Sequence, residues 1–103
     1  MQNFKDVCGK NESVWFEIEL NEGKKFLKWA KDLGCIWANG KEIEPNKGSK
    51  FFHLSISNDG KLSYVPISAW VSKQPEFKNV KRYVFKYSEE NGVEIFKLIE
   101  YNT

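Results

Sequence analysis

Apolar and polar residues alternate from Val14 to Leu20. Val14, Phe16, Ile18 and Leu20 fall on one side of an extended chain, and Trp15, Glu17 and Glu19 on the other. A period of two predicts a strand with one buried face. The period then lengthens. Phe26, Leu27, Ala30 and Leu33 recur at helical spacing, with Lys24, Lys25, Lys28 and Lys31 on the outward side. Asn21 suits the helix N-cap, and Glu22 complements the positive first turn. Gly34 supplies the left-handed residue that closes the helix. Cys35 to Ala38 is a short apolar run stopped by Asn39-Gly40, a two-residue turn signal, and Lys41 to Glu44 is expected to return as a short strand.

The remaining pattern is strand-like. Pro45 to Lys50 reads as a loop. Phe51 to Ser57 alternates again, with Phe52, Leu54 and Ile56 on one face and Phe51, His53, Ser55 and Ser57 on the other. Asn58-Asp59-Gly60 turns the chain, and Leu62 to Val71 is expected to return as its partner strand. Pro66, which cannot donate to a ladder, marks a bulge or an edge there. Gln74 to Asn79 reads as a loop. Val80 to Tyr87 and Val93 to Tyr101 form a last hairpin around Glu89-Glu90-Asn91-Gly92. The order predicts an α+β domain over residues 13–103, after a flexible lead-in at 1–12. Its architecture is a two-layer sandwich, β-α-β then hairpins, with one helix packed on a mainly antiparallel sheet of five to seven strands.

Composition narrows the class. A chain of 103 residues with 41% apolar and 29% charged side chains can bury a single core and is not a disordered tail. The net charge of +2 lacks the concentrated basic surface that sequence-independent DNA binding needs, so direct nucleic-acid binding is disfavoured. Arg82 is the only arginine among sixteen Lys and Arg, which also argues against a dedicated polyanion binder. No apolar run approaches the about 18 residues of a membrane span, and the first residues lack a secretory pattern. Cys8 and Cys35 are not a Cys-x-x-Cys pair, and with one histidine they cannot complete a four-ligand zinc site. The expectation is a cytoplasmic protein with free thiols, no cofactor and no metal. A Cys8–Cys35 disulfide is the alternative that an oxidising compartment would bring.

Candidate chemistry is sparse. His53 is the only histidine, and Ser55, Ser57 and Ser68 sit in no nucleophile frame; a hydrogen-bonded strand histidine outweighs a catalytic one. Glu17 and Glu19 share a strand face and read as solvated carboxylates rather than a paired-carboxylate site. Trp29 interrupts the lysine face and reads as a flank of the core, with a protein-docking anchor as the alternative. Aromatic residues make up 16% of the chain. Trp37, Phe51, His53, Tyr64 and Trp70, with Lys50 and Arg82 as cations, form the candidate ligand-binding set, because stacking beside a cation suits a nucleobase joined to phosphate. The competing reading makes the same rings one hydrophobic layer.

The run KKFLKWAKDLGCIWANGK at 24–41 resembles a stretch of uncharacterised small bacteriophage and mobile-element proteins. In those, a helix of the form FLKWA leads through a Gly cap into a strand ending in Trp-x-x-Gly. The run FFHLSISNDGKLSYVPISAWVSK at 51–73 is similar to proteins of the same kind. The resemblance covers about half the chain and carries over no catalytic residue. It implies a non-enzymatic antagonist of host defence that sequesters a nucleotide-like signal; a homo-oligomer is compatible with that role. The alternative it implies is an inhibitor that blocks a host defence protein such as a CRISPR effector.

Overall fold

The computed structural model describes residues 13–19, 22–45 and 53–100. These form a small mixed α+β domain. Strand β1 (Ser13–Ile18) leads into helix α1 (Gly23–Asp32) and the two-residue strand β2 (Ile36–Trp37). Strands β3 (His53–Ser57) and β4 (Lys61–Tyr64) follow, then single-turn helices α2 (Ile67–Trp70) and α3 (Pro75–Lys78). Strands β5 (Lys81–Glu90) and β6 (Val93–Glu100) close the chain. Among the described residues the six strands make one sheet in the order β2-β4-β3-β1-β5-β6. The pairs β1–β3, β3–β4 and β5–β6 are antiparallel, while β1–β5 and β2–β4 are parallel. The sheet is therefore mixed.

The alternation at β1 decides the layout. Val14, Phe16 and Ile18 are fully buried on one face, beneath Phe26, Leu27 and Ala30 of α1. Leu54 and Ile56 from β3, Leu62 from β4 and Phe85 from β5 complete this core, and Phe16 meets Phe26 at 5.3 Å between ring centroids. Trp29 is half-buried and packs at 5.5–5.7 Å against Phe16, Phe26 and Phe85, so it flanks the core. Lys24, Lys28 and Lys31 lie exposed on the outer side of α1.

Helix α1 ends as its sequence predicts. Gly34 takes φ +90°, its N–H bonds to the Lys31 carbonyl at 2.9 Å, and the Cys35 N–H reaches back to Ala30 at 3.1 Å. This is a Schellman closure, with Ala30 and Cys35 both buried in the same cluster. The other end differs. Glu22 is the N-cap residue, without a side-chain cap bond, and Asn21 lies outside the described residues.

Three other expectations change. Lys41 to Glu44 is not a strand: after the Asn39-Gly40 turn the Lys41 carbonyl accepts the Trp37 N–H at 2.9 Å, and Ile43 turns in to fill the core. The strand expected from Leu62 to Val71 stops at Tyr64, because Pro66 ends the ladder and its carbonyl accepts the Trp70 N–H at 3.0 Å, starting α2. The Gln74–Asn79 loop holds one helical turn, with Pro75 at its first position, Glu76 in its first turn and Lys78 in its last.

These two short helices cover the sheet face opposite α1, which a one-helix sandwich leaves open. Trp15 is 8% exposed there because Trp70 stacks on it at 6.1 Å and Phe77 packs beside it; Val65, Ala69 and Val80 join the cluster. The crossovers β1-α1-β2 and β4-α2-α3-β5 run in opposite directions over opposite faces, so both have the same hand. The final hairpin turns at Asn91 and Gly92, with φ 52° and 80°, the geometry that Asn-Gly favours. The lead-in at 1–12, Lys50, Phe51, Phe52 and Cys8 lie outside the described residues.

Phe16 is fully buried in the central strand with ring contacts to α1 and β5. Phe16→Ala should therefore lower unfolding free energy by about 3–5 kcal/mol, read from the urea midpoint. Cys35, 3% exposed, has its thiol pushed up to about 11 by burial. With Cys8 replaced by Ser, the native protein should resist a disulfide reagent at pH 8 and react once unfolded.

Candidate functional site

The sheet register sorts the candidate residues onto two faces. Leu54 stands opposite Tyr64, Ile56 opposite Leu62, and Leu62 beside Trp37. Leu54, Ile56 and Leu62 belong to the core beneath α1, so Trp37 and Tyr64 project to that same side near the β2 edge. Their rings stack at 5.5 Å with an interplanar angle of 26°. Trp37 packs against the core, whereas Tyr64 is 63% exposed. Together they form a two-ring platform at the sheet margin.

His53, Trp70 and Arg82 lie on the opposite face. His53 stands across from Glu17, and Arg82 beside Trp15. The His53 ring lies 4.3 Å from that of Trp70, with its Nε2 3.5 Å from Glu17 Oε1. That contact is ionic only when the imidazole is protonated, and Nε2 has no hydrogen-bond partner. Burial lowers the His53 pKa; Glu17 pulls it back up, and the Arg82 charge pushes it down again. The Arg82 guanidinium sits against both stacked indoles, 5.0 Å from Trp15 and 5.1 Å from Trp70, and its Nη2 donates to the Phe77 carbonyl at 2.7 Å.

The seven candidates thus do not form one site. Trp37 and Tyr64 come together, and His53, Trp70 and Arg82 come together, with the sheet between the two groups. Lys50 and Phe51 are outside the described residues. Trp15, Glu17 and Phe77, which sequence reasoning left out of the site, complete the second group. For Trp15 and Glu17 the signal was present, since their parity sets them opposite Phe16.

The hydroxyls and carboxylates do other work. Ser57 Oγ bonds Asp59 and accepts the Lys61 N–H at 3.1 Å, closing the β3–β4 turn. Glu19 pairs with Lys86. Lys25 sits 4.6 Å over the Tyr87 ring and 3.6 Å from Glu94, tying α1 to the final hairpin; the Tyr87 hydroxyl raises its pKa. Among the described residues no group of three or more His, Cys, Asp or Glu could hold a metal ion. No helix among them is long and apolar enough to cross a membrane.

Comparison with known proteins found no matching family model, no matching curated protein and no matching solved structure.

The direction at His53 fixes a pH dependence. Its folded pKa lies below the ordinary 6.5, so the unfolded chain takes up the proton first. The stability this group contributes is complete above pH 6.5 and is lost as pH falls from there through the folded pKa. His53→Gln should flatten that stretch of a stability–pH curve measured by urea unfolding, leaving the carboxylate-driven fall at lower pH.

Proposed function

We propose that this protein is a non-enzymatic binding module that captures a flat, nucleotide-like molecule at the Trp37–Tyr64 platform. The stacked pair carries the reading: Tyr64 keeps 63% of its surface exposed although its strand neighbours on that face are core. A ring 63% exposed and stacked on a half-buried indole suits stacking with a planar base. The similarity of segments 24–41 and 51–73 to bacteriophage proteins supplies the setting. The protein acts in the host cytoplasm and sequesters a nucleotide signal of host defence.

One observation favours a second reading, an inhibitor that docks on a host protein such as a CRISPR effector. Ile67 and Val71 lie four residues apart at α2, 61% and 65% exposed, while Trp70 anchors that helix to the sheet. Large exposed aliphatics on a fixed turn make protein contacts better than nucleotide contacts.

Isothermal titration against cyclic nucleotides and ADP-ribose derivatives should give saturable heat with at least one of them. Tyr64→Ala should weaken it roughly 5- to 150-fold, the worth of about 1–3 kcal/mol of stacking. No heat from any member of the panel would defeat the nucleotide reading. If Ile67→Asp with Val71→Asp then abolished capture of a single host protein, the second reading would replace it.

A further inference from the structure

Arg82 is the one buried charged side chain among the described residues, at 5% exposure. Among the described residues its contacts are two indole faces and the Phe77 carbonyl, and none is a carboxylate. Buried charges are otherwise paired. Its Nε has no hydrogen-bond partner, and neither does Nε2 of His53, whose side chain is 11% exposed. His53 reaches Trp70 from β3 and Arg82 reaches it from β5, so both unpartnered nitrogens belong to side chains that converge on one indole.

We propose that Arg82 and His53 form an oxyanion-binding subsite beneath α2 and α3, on the face opposite the ring pair, that accepts a phosphate or carboxylate group. The guanidinium packs against the stacked Trp15–Trp70 pair and Nη2 donates to the Phe77 carbonyl, while the buried Nε–H has no acceptor. His53 Nε2, on a ring that meets the same indole, donates in the protonated form or in the matching neutral tautomer. The anion supplies the countercharge that the buried guanidinium lacks, in charge-assisted bonds that are the stronger kind. Helix α3 is a single turn whose Phe77 is only partly buried, so the cover over this place is thin. Glu17, 39% exposed at its side chain and 3.5 Å from His53, is the charge that competes with the visitor.

The chain has a single histidine, so its imidazole resonances report on this place alone. Inorganic phosphate and, separately, acetate are titrated into the full chain at constant ionic strength against chloride. The expected result is a saturable shift of the His53 resonances, half complete at or below about 1 mM, with one or both anions. A response to phosphate alone assigns a phosphate ligand, and to acetate alone a carboxylate ligand. Arg82→Lys, which keeps charge and loses the planar fork, should weaken binding about tenfold or more, and Glu17→Gln should tighten it. Should Arg82→Lys not fold, His53→Gln followed by indole fluorescence serves the same purpose. The proposal is overturned if neither anion gives a saturable response in the unaltered protein, or if binding survives these substitutions unchanged. Either result is independent of Tyr64 and of any nucleotide.

Discussion

Strand β1 has both of its faces buried, and much of the molecule follows from satisfying that demand. Phe16 and its neighbours on one side need an apolar cover, which α1 provides through Phe26, Leu27 and Ala30. Trp15 on the other side needs one too, and a single indole cannot be enclosed by a sheet alone. Trp70 and Phe77 arrive from the crossover between β4 and β5 to enclose it. Because β1 sits between β3 and β5, its pairing also sets which residues share each face. Glu17 is placed against His53, and Trp15 against Arg82. The charged cluster is thus a by-product of the central strand's register.

Much of the first face was legible because its signals are local. The period of two at Val14–Ile18, the helical period at Phe26–Ala30 and the left-handed Gly34 each draw on residues within a few positions. The second face was not, since Trp15 and Trp70 are 55 positions apart and no periodicity records that they meet. Pro66 signals a strand interruption, yet a proline serves equally at the threshold of a helix, and tertiary demand for a cover over Trp15 decides between the two. Ile43 failed as a strand residue for a related reason. The core needed it more than a ladder did.

The candidate rings were dispersed by one count. Asn58, Asp59 and Gly60 form a three-residue connection, with Gly60 at φ +81°, which sets Leu54 opposite Tyr64. A two-residue turn over the same chain would have set His53 opposite Tyr64 and gathered the aromatics on one side. A single-residue change in register exchanges every side chain between faces. A linear list of aromatic residues therefore mixes two populations that the sheet separates. The Arg82 position lay further out of reach, because it depends on a parallel pairing with β1 across 67 positions of sequence.

The energetics of Arg82 explain why its unpartnered nitrogen matters. Withdrawing such an ion from water costs several kcal/mol even after relaxation. Two desolvated cation–π contacts return about 2 kcal/mol each, and the charge-assisted bond to Phe77 about 1.5–3 kcal/mol. These opposing amounts agree to within a few kcal/mol, so the guanidinium can stay buried without a carboxylate. What is left is the penalty at Nε, on the order of 1–3 kcal/mol for a buried donor without an acceptor. Arg82 therefore clasps β5 to Trp15, Trp70 and the Phe77 backbone while its buried Nε–H remains unmet. An acceptor that met that donor would remove the penalty and strengthen the clasp.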